Sequence, residues 1–503
     1  MSAWPRNLAT LITDRAEARP DAPFGMVGSE RTLGDVVALA GRAAATYAEL
    51  GVEVGDRVAV IGTNSDAYLV DWVALQLAGA EPALINPTYP ADLLRVMLQH
   101  LDPRMVVWVG PDVDVSACPG VPHVDARGID EGWLVVDGEP TVVAGAVEDL
   151  PGLGRGPADG AGSMHTSGTT GTPKFCIQSH EYFLRLGRFI ADTMGIHGDD
   201  TVLAPLPLFH INPLGYGVIG GLTARAGVLS MPRFSASGFW PDVVAAEASV
   251  LILHAPPVEI LKRATTPADA AGHRVRIVFF ADGEFLDTFG IPMGVSAYGS
   301  TEAGGLCHTW TWRRGDVATD LPEGMSRYGG RSRPEVQWSV DPVDGEILLK
   351  ADRPHVLFEG YLRDGRIDPA LDDEGWFATG DVGRVDAAGN LVFIERAAES
   401  IRVKGEYVPI GFVEDHFSAA GLGFSDLAIW RADSDLVDHE VALYAASPAP
   451  LDVDALRTAA AGLPAFMRPA VVLRVDAIPR DDGVGKIRRR QLDTCTVVER
   501  VAL

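Results

Sequence analysis

Short apolar runs alternate with longer amphipathic stretches over residues 34–110 and again over 182–280. This alternation constrains the fold more than any other feature of the chain. In the first block an Ala-rich stretch at 36–50 stops at Gly51 and predicts a helix; the apolar run 57–62, after a Gly-Asp turn, predicts a strand. Helices at 66–77 and 91–101 and strands at 82–85 and 105–109 follow. In the second block helices at 182–194, 217–226 and 238–248 separate strands at 201–206, 228–231 and 250–254, with a further strand at 275–280. Strand and helix in alternation build βαβ units on a parallel sheet. Ligands of open parallel sheets collect outside the carboxyl ends of the strands. The segments 207–215, 281–284 and 298–304 each follow an apolar run and so are placed there.

Other regions read differently. Residues 111–163 are rich in Gly, Pro and Asp. Their Gly-Leu-Gly-Arg-Gly segment at 152–156 reads as loop, because a GxGxG away from a strand–helix junction is weak evidence of nucleotide binding. From about 335 to 394 short strands and turns replace the helical pattern and predict a small β-rich subdomain. The residues beyond 394 carry their own alternation, which predicts a separate C-terminal α+β domain. A chain of 503 residues exceeds what one core organises, so two or more domains are expected.

Composition narrows the partners. A net charge of −26 repels nucleic acid and anionic membrane surfaces, so neither is expected as a partner. Cys118, Cys176, Cys307 and Cys495 lie far apart with no C-x-x-C spacing. That argues against a disulfide framework or zinc site and suits a reducing cytoplasm. The first twenty residues lack the apolar core of a signal peptide, and no apolar run reaches the ~18 residues of a spanning helix. A cytoplasmic protein is expected.

One stretch carries chemistry by itself: Thr166-Ser167-Gly168-Thr169-Thr170-Gly171-Thr172-Pro173-Lys174. Seven of its nine residues are glycine or bear a hydroxyl. Successive main-chain N–H groups in such a turn form an anion-binding concavity, and Lys174 supplies a point charge for phosphate. The spacing of Gly171 and Lys174 does not fit a Walker A loop. By composition alone a flexible Gly/Thr surface loop is the competing reading.

The string resembles the phosphate loop of the adenylate-forming superfamily, which includes acyl-CoA synthetases, aryl-CoA ligases, luciferases and nonribosomal adenylation domains. It is closest in type to the acyl- and aryl-CoA ligases, and the resemblance runs from about residue 30 to 492. The loop would give Thr166, Ser167, Gly168, Thr169, Thr170, Gly171 and Lys174 to ATP. Tyr298-Gly299-Ser300-Thr301-Glu302 is similar to the family's Y-G-x-T-E motif. That likeness implies Glu302 as a Mg2+ ligand, Thr301 at the α-phosphate and Tyr298 along the adenine. Asp282-Gly283-Glu284 resembles the loop that contacts adenine. Trp376-Phe377-Ala378-Thr379-Gly380-Asp381 is similar to W-x-x-T-G-D, which implies Asp381 on the ribose hydroxyls, and Arg396 resembles the arginine that reaches the same region.

Pro207-Leu208-Phe209-His210 resembles the aromatic-histidine motif bordering the acyl tunnel, so His210 would line or gate it. Lys404-Gly405-Glu406 looks like the strip along the pantetheine tunnel of CoA ligases. Pro479-Arg480 with Gly485-Lys486-Ile487 resembles the C-terminal lysine motif, where Lys486 would bridge substrate carboxylate and α-phosphate. Four positions depart from the family's pattern. Phe175-Cys176 stands where Gly-Val is usual, and Ala398-Glu399 occupies the hinge. Lys486 sits one residue further from Pro479 than usual, and Pro213 stands where a glycine follows the histidine.

The resemblance implies an α/β fold: a large N-terminal domain of stacked, mainly parallel sheets at 1–394, including the β-rich 335–394 subdomain. A hinge at 395–400 and a small mobile C-terminal α+β domain at 401–503 complete it. It implies ATP, Mg2+ and CoA, with adenylation of a small-molecule carboxylic acid followed by transfer to CoA. A freestanding adenylating enzyme stays open, activating an acid or an oxyanion such as nitrite (diazotisation) for an amine, carrier protein or partner enzyme. A homodimer stays open too. Lys174, Glu302, Asp381, Arg396 and Lys486 together argue against a nucleotide binder without turnover. Segments 211–216, 254–258 and 304–306, with Ala297, should line the acid pocket; they contain no Arg or Lys, which disfavours a second carboxylate on the substrate.

Overall fold

The computed structural model describes residues 4–87, 89, 91–110, 121–143, 150–166, 173–316, 328–363, 365–396, 401–403, 406–408, 410–432, 440–463, 465–481 and 485–503. Two compact units are present: Met1–Trp338 with Leu349–Ala378, and Ser339–Leu348 with Thr379–Leu503. Residues 397–400 of the expected hinge lie outside the described residues.

The first unit contains two large sheets. In one, strands Phe24–Met26, Gly227–Ser230, Thr201–Ala204, Val250–Ile252, Ile277–Phe279 and Met293–Tyr298 lie side by side in that order, all parallel. His308–Arg313 and Tyr328–Ser332 continue it antiparallel. The other runs Arg366–Asp368, Gly360–Arg363, Lys174–Ser179, Gly160–Thr166, Glu81–Ile85, Arg57–Gly62, Met105–Val109, with three outer strands beyond. Its centre is parallel, and Val58, Ala59, Val60 and Ile61 are all buried. Strands covered on both faces need such continuous apolar runs.

Helix ends follow local chemistry. Leu33–Glu49 opens on a capping box between Thr32 and Asp35. Asp66–Ala78 closes at Gly79 in the left-handed region, φ 77°. His180–Met194 starts on the Ser179 hydroxyl and stops at Gly195. The Gly-rich segment near 152 is a single 3-10 turn, Pro151–Gly154, pinned by the Asn7 amide on the Gly152 carbonyl (3.1 Å).

Two elements differ from expectation. The helix expected at 217–226 begins earlier, as a π-helix over Asn212–Ile219 followed by the α-helix Gly220–Ala224. Pro213 sits in its first turn, where a missing N–H breaks no bond. A Cβ at Gly217 would meet that of Ala204 at 2.5 Å, so the widened helix lies directly against the sheet. The strand expected to reach 254 stops at Ile252, and the helix Ala255–Ala264 follows. Prolines stand in its first turn, where they are suited.

The second unit has its own core. Asp426–Ala432, Glu440–Ala446, Val471–Val475 and Val497–Ala502 form a four-stranded sheet, and helices Ile410–Ala419 and Val453–Ala461 pack on it through Val413, Phe417, Leu456 and Ala460. Among the described residues no helix is long and apolar enough to cross a membrane.

Candidate active site

In the first unit the candidate phosphate loop joins two antiparallel strands, and the register sets Thr166 directly opposite Lys174. The loop's two ends are thus held side by side. Ser167, Gly168, Thr169, Thr170 and Gly171 lie outside the described residues. Side chains alternate faces along a strand. Phe175 and Ile177 enter the apolar cluster with Ala59, Ile85 and Leu98. Thr166, Lys174 and Cys176 therefore face the other way.

On that face Lys174 Nζ sits over the Tyr361 ring, 4.9 Å from its centroid. The Tyr361 hydroxyl donates to Glu302 Oε1 at 3.1 Å. The pairing of Tyr361 with Cys176, one strand over, fixes this arrangement. Burial, then the Glu302 carboxylate, pushes both the Tyr361 hydroxyl and the Cys176 thiol above their ordinary pKa values. Both stay protonated and act as donors.

Glu302 belongs to a turn that its neighbours over-determine. The Tyr182 hydroxyl donates to the Thr301 carbonyl (2.8 Å), and the Tyr216 hydroxyl donates to the Gly305 carbonyl (2.6 Å). Phe358 N–H donates to the Glu302 carbonyl (3.1 Å), and Cys307 N–H to that of Tyr298 (3.1 Å). Gly304 and Gly305 both have positive φ, 70° and 73°, which side-chain-bearing residues rarely adopt. Tyr298 and Thr301 are buried.

His210 joins a different group. Its ring meets Phe209 at 4.6 Å and His165 at 6.3 Å between centroids. His165 accepts the Asn86 N–H at Nε2 (3.2 Å), so Nδ1 carries the proton facing the Tyr89 hydroxyl (3.1 Å). Burial, with a smaller push from His210, lowers His165 to about 3, and the ring is neutral. The loop carrying His210 is anchored by Asn64. Its amide donates to the Leu206 carbonyl (2.9 Å) and the Met231 carbonyl (2.9 Å), and its oxygen accepts Leu208 N–H (2.8 Å).

Gly283 opens the short helix Gly283–Phe289, capped by Asp282, whose carboxylate accepts Phe285 N–H (2.9 Å). Lys262 holds the same carboxylate (2.7 Å) and that of Glu284 (3.0 Å). Just before this turn Phe280 has φ 68°, unusual for an aromatic residue, and stacks on His254 at 5.0 Å.

In the second unit Asp381 is buried and stands opposite Arg396 in the antiparallel register. Thr379 Oγ1 accepts Asp381 N–H (3.1 Å) while donating to the Ile347 carbonyl (2.7 Å). Lys486 lies on a hairpin: its carbonyl accepts Asp481 N–H (2.9 Å), and Arg488 N–H reaches the Pro479 carbonyl (2.8 Å). Arg480 braces the turn, donating to Gly485 O (2.6 Å) and gripping Asp426. Glu406 heads a strand paired with Ile401–Val403, and Lys404 and Gly405 between them lie outside the described residues.

Within the first unit, then, Lys174 and Glu302 meet at Tyr361 with Thr166 opposite Lys174, and His210 sits with His165. Sequence reasoning missed Tyr361, His165 and Asn64. Tyr361 lies far along the chain from Lys174, and only the sheet order joins them. His165 did carry a signal, as the residue directly before the candidate phosphate loop.

The family model described as AMP-binding enzyme matches residues 12–362. The medium/long-chain-fatty-acid–CoA ligase FadD6 of Mycobacterium tuberculosis is 28% identical over 432 residues, covering 81% of this chain and 72% of that protein. The probable CoA ligase CCL9 of Humulus lupulus is 27% identical over 477 residues, covering 88% and 86%. Among solved structures, o-succinylbenzoate CoA synthetase (MenE) from Bacillus subtilis, in complex with ATP and magnesium ion, superposes with a TM-score of 0.80 at 20% identity, over 96% of this chain and 99% of that one. ATP-bound MatB from Rhodopseudomonas palustris gives 0.77 at 22%, over 97% and 98%. At these identities the structural likeness establishes the fold.

Proposed function

This chain belongs to the AMP-binding enzyme family, and we propose that it is a two-step ligase that joins a monocarboxylic acid to CoA. It is an ATP-dependent, AMP-forming enzyme of the acyl/aryl-CoA ligase type. In the first step a carboxylate oxygen attacks the α-phosphorus of ATP, pyrophosphate leaves, and an acyl-adenylate forms. In the second the CoA sulfur attacks the acyl carbonyl, a thioester forms and AMP leaves.

The observation that carries this reading is the grouping of Lys174 and Glu302 on one face of the hairpin that bears the phosphate loop. Phosphoryl chemistry of this kind is positioning and charge stabilisation. Lys174 would supply a cation for the phosphates. Among the described residues no group of three or more His, Cys, Asp or Glu side chains is placed to hold a metal. That fits Mg2+, which takes one or two carboxylates and fills its shell with phosphate oxygens and water. Glu302, with one oxygen on Tyr361, would hold it. The ion would neutralise charge on the phosphates.

Asp381 and Arg396 would bind the ribose, and Tyr298 and Gly283 the adenine. Lys486 would bridge the acid and the α-phosphate in the first step, and the 404–406 strip would border CoA in the second. His210 would line the acid pocket. The Tyr182 and Tyr216 hydroxyls are engaged by backbone carbonyls, and the pocket segments lack Arg and Lys. Those features favour an acid with one carboxylate and an otherwise apolar body.

A panel of monocarboxylic acids in an acid-dependent pyrophosphate-release assay tests the reading. Release with at least one such acid is expected. Release only with dicarboxylates, or with none in the presence of Mg2+ and ATP, would overturn it.

A further inference from the structure

We propose that Tyr361 is a positioning residue that keeps Lys174 and Glu302 apart, leaving the lysine for phosphate and the glutamate for Mg2+. The inference rests on the ligase reading above. Lys174 and Glu302 approach the same phenol from two sides: the ammonium over its ring face at 4.9 Å, the carboxylate on its hydroxyl at 3.1 Å. Opposite charges held against the same ring, in a half-buried setting, attract one another. Without an intervening group they would close into an ion pair. Such a pair would have to open before phosphate and metal could take its members.

The phenol prevents this by giving each charge a weaker partner of its own. An aromatic face attracts an ammonium through the ring quadrupole without neutralising it. The hydroxyl donates to Oε1 of the carboxylate, and the Cys176 thiol hydrogen-bonds to the same carboxylate; neither partner carries a charge that would neutralise it.

Strand register makes the placement rigid. Tyr361 is directly opposite Cys176 in one antiparallel pair, and Lys174, two residues from Cys176 on the same face, is opposite Thr166 in the next. The Cys176 thiol closes the back of the group, 3.8 Å from Thr166 Oγ1, at a position where the family usually carries valine.

The test is calorimetric titration of ATP into wild type, Tyr361→Phe and Tyr361→Leu, with no acid present, once in EDTA and once across a Mg2+ series. Circular dichroism at the assay temperature establishes that all three are folded. Tyr361→Phe keeps the ring and loses the hydroxyl. It should retain wild-type affinity for metal-free ATP and need roughly ten-fold more Mg2+, the scale of losing one hydrogen bond to a charged group. Tyr361→Leu frees Lys174 to pair with Glu302 and should lose metal-free affinity as well. In a Glu302→Gln background Tyr361→Phe should change nothing further, because it acts through Glu302.

A Tyr361→Phe protein with the wild-type Mg2+ dependence overturns the inference. So does one that weakens metal-free and metal-bound ATP equally, or full additivity with Glu302→Gln. Wild type that binds no ATP under any condition overturns the ligase reading itself, and this inference with it.

Discussion

Asp71 offers a sharp test of the core packing. It lies in the helix Asp66–Ala78, fully buried, with the Tyr47 hydroxyl donating to its Oδ1. Its Oδ2 and the buried Tyr68 hydroxyl have no partner among the described residues. Burial pushes the carboxyl up from 3.8 to about 7, with the Tyr47 hydrogen bond opposing. A raised folded-state value means that the folded protein holds a proton which the unfolded chain releases. Stability from this group is complete below pH 3.8 and is lost as pH rises to about 7. At roughly 1.4 kcal/mol per pH unit, the loss reaches about 4 kcal/mol above neutrality.

Asp71→Asn keeps the shape and cannot ionise. Its oxygen still accepts from Tyr47, and an uncharged NH2 takes the place of Oδ2. The variant should therefore unfold at a higher temperature than wild type at pH 8. The advantage should shrink by about 2 kcal/mol at pH 5.5, a few degrees of melting temperature for a domain of this size. Differential scanning fluorimetry of both proteins at the two pH values measures it. An advantage independent of pH, or a variant less stable than wild type at pH 8, would refute the reasoning.

Three further perturbations have defined outcomes. Glu302→Gln should lower adenylation and raise the Mg2+ needed for pyrophosphate release, and an unchanged Mg2+ titration would place the metal elsewhere. Lys486→Ala should cut acyl-adenylate formation by about 10²-fold, the scale of losing one preorganised charged donor, while supplied acyl-adenylate still reacts with CoA. Equal loss in both half-reactions would sink that assignment. Asn64→Ala strips partners from the Leu206 and Met231 carbonyls and the Leu208 N–H. It should cost about 2–5 kcal/mol of stability and raise KM for the acid as the His210 loop loosens; unchanged unfolding would show that the loop is held by other contacts.

Much of this was legible in the sequence where signals are local. The strands 57–62 and 105–109 and the helix 91–101 appear at the expected residues, because apolar period, glycine stops and caps act within one element. The 166–174 string and the Tyr298–Glu302 motif resemble family motifs; their roles at ATP are proposals. What depends on distant pairing was not legible. Tyr361 meets Lys174 only because Gly360–Arg363 adds to the strand Lys174–Ser179, and a lone Gly-Tyr pair carries no chemistry of its own. The helix expected from residue 217 begins at Asn212 as a π-helix, and only the sheet beneath shows why Gly217 is small: a Cβ there would meet that of Ala204. Asp71 sits inside a helix whose exposed face the sequence could not separate from its buried one, since nearly every residue of that helix is buried.

The central claim is the second half-reaction, and one single-turnover experiment addresses it. Enzyme is loaded with acyl-adenylate from an acid that it activates, freed of ATP, and mixed with CoA. The ligase account predicts that AMP and a CoA thioester appear together in equal amounts, far faster than AMP appears without CoA. If AMP is released at the same slow rate with and without CoA, and no thioester forms with any acid that the enzyme adenylates, the protein is a freestanding adenylating enzyme and the account fails.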